Sequence, residues 1–248
     1  MSDKIFIPEK AYKNLDFLNS VEARTVRILS EYLEPEARMR KLKVNNTVLF
    51  LGSSKANPEE KESILGRYYW EAEELAYLLA KWAIKLEPKG KNFVICTGGG
   101  PGIMEAANRG AARAGGKSIG MNISIPEEQY PNPYISPELS FIFHYFFMRK
   151  FWLIYKAKAV VAFPGGYGTL DEVFETLTLL QNKKISKGNF PIVLYGEDYW
   201  KNIINFEALV KHGSILPEDV DYFTYISNPN EAFAYLKEEC SKYLFGSD

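Results

Sequence analysis

The stretch Ala162-Phe-Pro-Gly-Gly-Tyr-Gly-Thr-Leu-Asp-Glu-Val-Phe-Glu175 decides the reading of this chain. Before it, Ala157 to Phe163 is an apolar run carrying one lysine, the pattern of a buried strand. Gly165, Gly166 and Gly168 then permit a turn with positive φ and the close approach of a ligand to the backbone. A helix is predicted to follow at once, with Thr169 as its N-cap. The first N–H groups of such a helix are unpaired, and its dipole favours negative charge. Strand, glycine turn and helix N-terminus together make a seat for a phosphate. Glu172 sets a carboxylate beside that seat, which points to chemistry on a nucleotide or sugar phosphate. Thr169-Leu-Asp-Glu172 also fits a capping box, in which the glutamate bonds back to the cap residue's own N–H. Spacing alone leaves both roles open.

The same alternation runs through the rest of the chain. Residues 1 to about 20 read as a loose arm, and Val21 to Leu33 as a helix presenting Val26, Leu29 and Leu33 on one face, with Ile28 and Tyr32 beside it. Pro35 is expected to end that helix and open a second short one to Leu42. A strand, Thr47 to Leu51, runs into Gly52-Ser-Ser54, small residues that either line a ligand crevice or simply turn the chain. A long helix, Ile64 to Leu86, leads to a strand, Asn92 to Thr97, and a second glycine junction, Gly98-Gly-Gly-Pro-Gly-Ile-Met-Glu105. Lys117 to Ser124 is the next strand, followed by a loop with Pro126, Pro131 and Pro133. The aromatic segment Phe141 to Tyr155 reads as a buried helix, with His144 packed inside it. Phe190 to Tyr195 and Tyr222 to Ser227 are further strands, Tyr199 to Lys211 a helix, and Glu231 to Leu244 a closing helix with Phe233, Leu236, Cys240 and Tyr243 on one face. Strand and helix alternate throughout, so the expected fold is α/β: a parallel sheet with helices on both faces. Residues 46–248 make the domain and residues 1–45 a helical N-terminal extension packed on it.

Composition narrows the functions. The 248 residues carry 30 basic and 31 acidic side chains, so no net field draws the chain to nucleic acid or anionic lipid. No apolar run reaches transmembrane length and the start is not a signal peptide, so a cytoplasmic protein is expected. Cys96 and Cys240 make neither a disulfide framework nor a zinc site and are expected to be buried small hydrophobes. With two distant histidines, His144 and His212, no metal site is expected. The dinucleotide fingerprint fails at both possible registers, where Ile103 or Glu105 takes the third small position. Gly116-Lys-Ser118 precedes a strand and so cannot be a P-loop.

Pro164-Gly-Gly-Tyr-Gly-Thr-Leu-Asp-Glu172 matches the Pro-Gly-Gly-x-Gly-Thr-x-x-Glu signature of the LONELY GUY (LOG) family, often labelled lysine decarboxylase-like, and the chain resembles its longer bacterial members. Arg149-Lys150 sits where that family has an Arg-Lys pair, although Phe147-Met148 replaces the His-Glu or His-Gln step of short plant-type proteins. The resemblance implies a Rossmann-like fold, a homodimer or multiple of dimers, and no cofactor. It implies hydrolysis of a nucleoside 5′-monophosphate, AMP or a cytokinin ribotide, to free base and ribose 5-phosphate. Glu172 and Arg149 are then the catalytic pair, and Gly165, Gly166, Gly168 and Thr169 the phosphate-binding residues. Gly52, Ser53, Gly99, Gly100, Glu128 and Lys150 are candidate substrate contacts, and Met148 a candidate neighbour of the pocket. The decarboxylase label would require pyridoxal phosphate on a lysine, which no residue pattern singles out. The alternatives are a nucleotide or molybdenum-cofactor carrier of the same fold, and a sensor of purine nucleotides.

Overall fold

The computed structural model describes residues 8–89, 93–125, 130–185 and 190–245. Its strands are β1 (Thr47–Leu51), β2 (Val94–Thr97), β3 (Ser118–Ile123), β4 (Ser140–Phe143), β5 (Ala157–Ala162), β6 (Ile192–Tyr195) and β7 (Thr224–Ile226). They form one parallel sheet in the order β4-β3-β2-β1-β5-β6-β7. Strand side chains alternate between two cores, because successive residues point to opposite faces. Val48, Phe50, Ala159, Val161, Val193 and Tyr195 face one, and Leu49, Leu51, Val160, Ala162, Ile192 and Leu194 the other. Both faces are buried, so the strands read as continuous apolar runs.

The first core is covered by α3 (Ile64–Leu86), α4 (Ile103–Arg113) and α9 (Pro229–Phe245). The second is covered by α2 (Arg24–Lys41), α5 (Phe146–Tyr155) and α6 (Tyr167–Gln181), with the short α7 (Glu197–Ile203) and α8 (Phe206–Lys211). Before them, α1 (Leu15–Asn19) is capped by Asn14, whose side chain accepts the Phe17 N–H at 3.0 Å. Cys96 and Cys240 are buried as expected, and burial pushes both thiols up to about 12. No helix among the described residues is long and apolar enough to cross a membrane.

Several sequence expectations are corrected. Phe141 to Tyr155 is not one helix: β4 occupies its start, with Phe141 and Phe143 buried and Ile142 exposed, before α5 begins at Phe146. A short apolar run does not reveal its period, and the edge strand is visible only once β3 is in place to pair with it. His144, at the bend between them, is exposed rather than packed in a core. The helix from Tyr199 to Lys211 is broken into α7 and α8. Val26, Leu29 and Leu33 are about half exposed, whereas Ile28, Tyr32, Pro35 and Met39 of the same helix turn inward.

Pro35 does not end α2. A proline inside a helix leaves the carbonyl four residues earlier without its N–H. Here that carbonyl belongs to Glu31, and the Trp152 indole N–H of α5 donates to it at 2.9 Å. The lost intrahelical bond is replaced by a tertiary one, so the helix continues.

Two connections crowd the ends of the central strands. The Ser53 N–H donates to the Pro164 carbonyl at 3.0 Å, and the Ser53 carbonyl accepts the Ile103 N–H at 3.0 Å. Gly102 makes the second contact possible: its φ is +71°, and a Cβ there would lie 2.3 Å from the Ser53 carbonyl oxygen. Gly102→Ala is therefore expected to lose at least about 2 kcal/mol, from backbone strain plus overlap with backbone atoms. Urea unfolding would measure it, and an unchanged midpoint would show that the turn relaxes.

Candidate active site

Ligands of open α/β sheets bind beyond the strand carboxyl ends, where the strand order reverses. Here β1 is flanked by β2 and β5, and the loops after β1 and β5 border a pocket of about 400 Å³. Its lining includes Gly52, Ser53, Gly98, Arg149, Gly166, Gly168, Thr169 and Glu172.

The chain leaves β5 through Phe163, Pro164 and Gly165, and α6 starts with Gly166 as its N-cap. Thr169 is thus not the cap; it is the third helical residue and is buried. None of Gly165, Gly166 and Gly168 has positive φ, so the turn does not need their left-handed freedom. Their use is the missing Cβ. At Gly165 it would overlap Thr169 Oγ1 at 2.1 Å, whereas at Gly166 and Gly168 it would enter open space. No side chain caps α6, so a seat for an anion stands open at its N-terminus. From behind, the Tyr199 hydroxyl donates to the Gly165 carbonyl, and Trp200 Nε1 donates to the Ala162 carbonyl at 3.1 Å.

With Gly166 as cap, Glu172 lies beyond the position a capping box uses, and that reading falls. Its side chain instead accepts from Arg149 Nη2 at 3.1 Å. Both are withdrawn from water, at 4% and 13% exposure. Burial raises the Glu172 pKa above the ordinary carboxylate value, while Arg149 pulls it down, Asp171 pushes it up and Lys150 lowers it. Arg149 lies over the Phe146 ring at 4.6 Å, and its Nε is buried without a partner among the described residues.

The neighbouring Lys150 bridges Asp171 at 2.6 Å and Glu175 at 3.0 Å, and does not line the pocket. α5 therefore grips α6 twice, through a buried pair at the pocket and a more exposed trio beside it. Gly99 and Gly100 are also not brought to the pocket. Their carbonyls accept from Asn132 Nδ2 at 3.1 Å, and Asn132 in turn bonds Asn108, so this junction is a packed support. The first N–H of α4 is taken by the Ser53 carbonyl, so the start of this helix is tied to the loop after β1. Met148 is buried in the second core, and Glu128 lies outside the described residues.

Sequence reasoning missed Phe50, Leu51, Lys55, Gly98, Met104, Leu153 and Tyr167 in the lining. Tyr167 stands inside the glycine motif and could have been found there; Met104 and Leu153 reach the pocket only because α4 and α5 fold over it. Among the described residues no group of three or more His, Cys, Asp or Glu could hold a metal ion. Lys55 is the one lysine among the described lining residues, and it is exposed. A Schiff-base lysine is activated by desolvation or a neighbouring cation, so Lys55 does not fit pyridoxal phosphate chemistry.

The sign of the Glu172 shift gives a stability test. Between the unfolded and the raised folded pKa, the folded chain holds a proton that the unfolded chain has released. Stability attributable to this group therefore falls as pH rises through that window and stays lower above it. Glu172→Gln is expected to melt at the same temperature as the parent or higher at pH 7, with the difference vanishing below about pH 4. A lower melting temperature at pH 7 would contradict this.

The sequence profile of the family described as possible lysine decarboxylase matches residues 104–236. The pyrimidine/purine nucleotide 5′-monophosphate nucleosidase of Escherichia coli K12 is 32% identical over 129 residues, covering 45% of this chain and 27% of that protein. The aligned part is thus well under half the length of that relative. The structural-genomics protein TM1055 superposes with a TM-score of 0.52 at 21% identity, covering 78% of this chain and 99% of that one. The Moco carrier protein of Chlamydomonas reinhardtii does so with a TM-score of 0.50 at 20% identity, covering 80% and 99%. Such identities show a shared fold. The profile match takes in Arg149, the glycine turn and Glu172, and the chain belongs to the possible lysine decarboxylase family, that of the LONELY GUY proteins.

Proposed function

We propose that the chain hydrolyses the N-glycosidic bond of nucleoside 5′-monophosphates, AMP or its N6-substituted analogues, releasing free base and ribose 5-phosphate. The observation that carries this reading is a buried carboxylate on the same helix whose open N-terminus can seat a phosphate. Tyr167 and Glu172 are about 7.5 Å apart along the axis of α6, a span suited to one ribose phosphate. The similarity to a nucleotide 5′-monophosphate nucleosidase supports it.

The chemistry follows from charge. As the C1′–N bond breaks, positive charge builds on the ribose in an oxocarbenium-like state. Ionised Glu172 stabilises that charge and orients water for attack at C1′. The water oxygen bonds to C1′, and the departing base nitrogen ends with a proton. Arg149, fixed in charge, favours the ionised form of Glu172 and holds its carboxylate in place. Phosphate at the N-terminus of α6 would set C1′ near Glu172, so binding energy from the phosphate aids the bond-breaking step. Met104 and Leu153 offer apolar surface for the base or an N6 substituent.

Chromatography of nucleotide incubations tests the reading. AMP should yield adenine and ribose 5-phosphate, while adenosine, lacking the phosphate, should be a poor substrate. Equal cleavage of adenosine would show the phosphate seat to be wrong, and tight AMP binding without base release would favour a carrier or sensor. Glu172→Gln should lower turnover about 10²-fold or more while leaving AMP binding intact. The rate should fall as pH drops through the Glu172 pKa, which burial raises from the ordinary carboxylate value.

A homodimer is proposed as the smallest assembly. Phe147 and Tyr155 of α5 are about half exposed and border an apolar groove with Phe151, Ile154, Leu179 and Phe190. A second copy covering this groove would remove that surface from water. Light scattering that finds only a 28.3 kDa species at micromolar concentration would rule it out.

A further inference from the structure

We propose that Glu31, on α2 and outside the profile-matched residues, is a positioning residue for Arg149. The inference rests on the roles proposed above for Arg149 and Glu172.

Helix α5 lacks what normally steadies a helix start. Its N-cap is Tyr145, which makes no side-chain cap bond, and its first turn contains no acidic residue. Glu31 supplies both functions from 114 residues away in sequence. Its Oε1 accepts the His144 N–H at 2.7 Å, and its Oε2 accepts the Tyr145 N–H at 3.1 Å. A carboxylate at this place also complements the positive end of the helix dipole.

The path from there to the pocket is short. The Tyr145 carbonyl accepts the backbone N–H groups of Met148 at 3.1 Å and of Arg149 itself at 3.2 Å. Arg149 then reaches Glu172 through Nη2. Hydrogen bonds thus link Glu31 to the Tyr145 backbone, the Tyr145 backbone to that of Arg149, and the Arg149 side chain to Glu172.

Glu31 is itself held firmly. Its carbonyl, vacated by Pro35, accepts the Trp152 indole N–H, so α5 grips the residue at both backbone and side chain. Tyr32 packs against Phe151 and Trp152 at 5.7 Å each, and Arg38 Nη1 donates to the Ser140 carbonyl at 2.8 Å. The extension therefore holds both the strand before α5 and the first turn of α5. Arg149 sits in that first stretch, where a helix frays most readily once its end groups lose their partners.

The test reads Glu172 directly. The charged groups acting on it are Arg149, Asp171 and Lys150, and the last two are paired with each other. Of the three only Arg149 is held through Glu31. Carbon-13 carboxyl NMR, with the Glu172 signal assigned by its loss in Glu172→Gln, follows the titration in the parent and in Glu31→Ala, Glu31→Gln and Arg40→Ala. Releasing Arg149 removes an attraction that lowers the Glu172 pKa, so Glu31→Ala should titrate at higher pH than the parent. Turnover of AMP by Glu31→Ala should fall about tenfold or more, the scale of a small misplacement in a site, with KM changed far less. Glu31→Gln keeps one acceptor oxygen and should fall between Ala and the parent, whereas Arg40→Ala, exposed on the same helix, should match the parent. If Glu31→Ala does not fold, the shift in Glu31→Gln decides the matter.

An unchanged Glu172 titration in the folded variants, with turnover within about twofold of the parent, overturns the proposal. So does a lower melting temperature unaccompanied by any shift, which would mark Glu31 as a structural tie alone. If the parent protein releases no base from any nucleotide, the hydrolase reading fails by itself. The titration still reports whether Glu31 holds Arg149 against Glu172.

Discussion

The backbone hydrogen bond from Ser53 to Pro164 is the contact on which the site depends. It joins the loops leaving β1 and β5 at the point where the strand order reverses. The Ser53 carbonyl also accepts the first N–H of α4, so one residue ties both glycine junctions to the central strand. Gly52 and Gly102 allow this because a Cβ at either would collide, with the Ile103 side chain or with backbone at Ser53. The two junctions look alike in sequence, yet they are put to different uses. The one after β2 gives its first helical N–H to Ser53, and the one after β5 starts a helix that no side chain caps.

The Arg149–Glu172 pair illustrates a constraint of another kind. Burial raises the Glu172 pKa despite the cation beside it, so desolvation outweighs the pairing. A charge held under those terms does not stabilise the fold at neutral pH, as expected for buried ion pairs, in which desolvation can exceed the Coulombic gain. A carboxylate in a dry, fixed environment nevertheless acts more strongly on nearby charge than one in water. Lys150, one residue away, makes the opposite bargain. Its pairs with Asp171 and Glu175 tie α5 to α6 and leave it outside the pocket.

Helix α2 shows how tertiary contacts can carry a helix through a proline. Pro35 would ordinarily break it, but the indole of Trp152 fills the vacated carbonyl, and the same residue, Glu31, caps α5. The inward side of α2 is fixed by these polar bonds and by Tyr32 and Met39, while Val26, Leu29 and Leu33 remain about half exposed. Of its apolar residues, the Val26, Leu29 and Leu33 stripe is therefore not the one that packs.

Much of this was legible in the chain itself. Alternating apolar runs and helical periodicity determined the parallel α/β fold, because both faces of the sheet had to be buried and the crossovers had to be helical. Gly166, Gly168, Thr169, Arg149, Glu172, Gly52 and Ser53 were all named from local patterns, and all line one pocket. What the sequence could not settle was which role or partner each of these groups would take. Thr169 yielded the cap to Gly166, Lys150 turned toward α6, and Gly99 and Gly100 were claimed by Asn132. Phe141 to Phe143 became a strand because β3 offered an edge, and Pro35 stayed helical because Trp152 stood beside it. Local pattern determines which groups are available for bonding, but only the tertiary structure decides which partner comes within 3 Å of each, since that depends on how elements over a hundred residues apart are stacked.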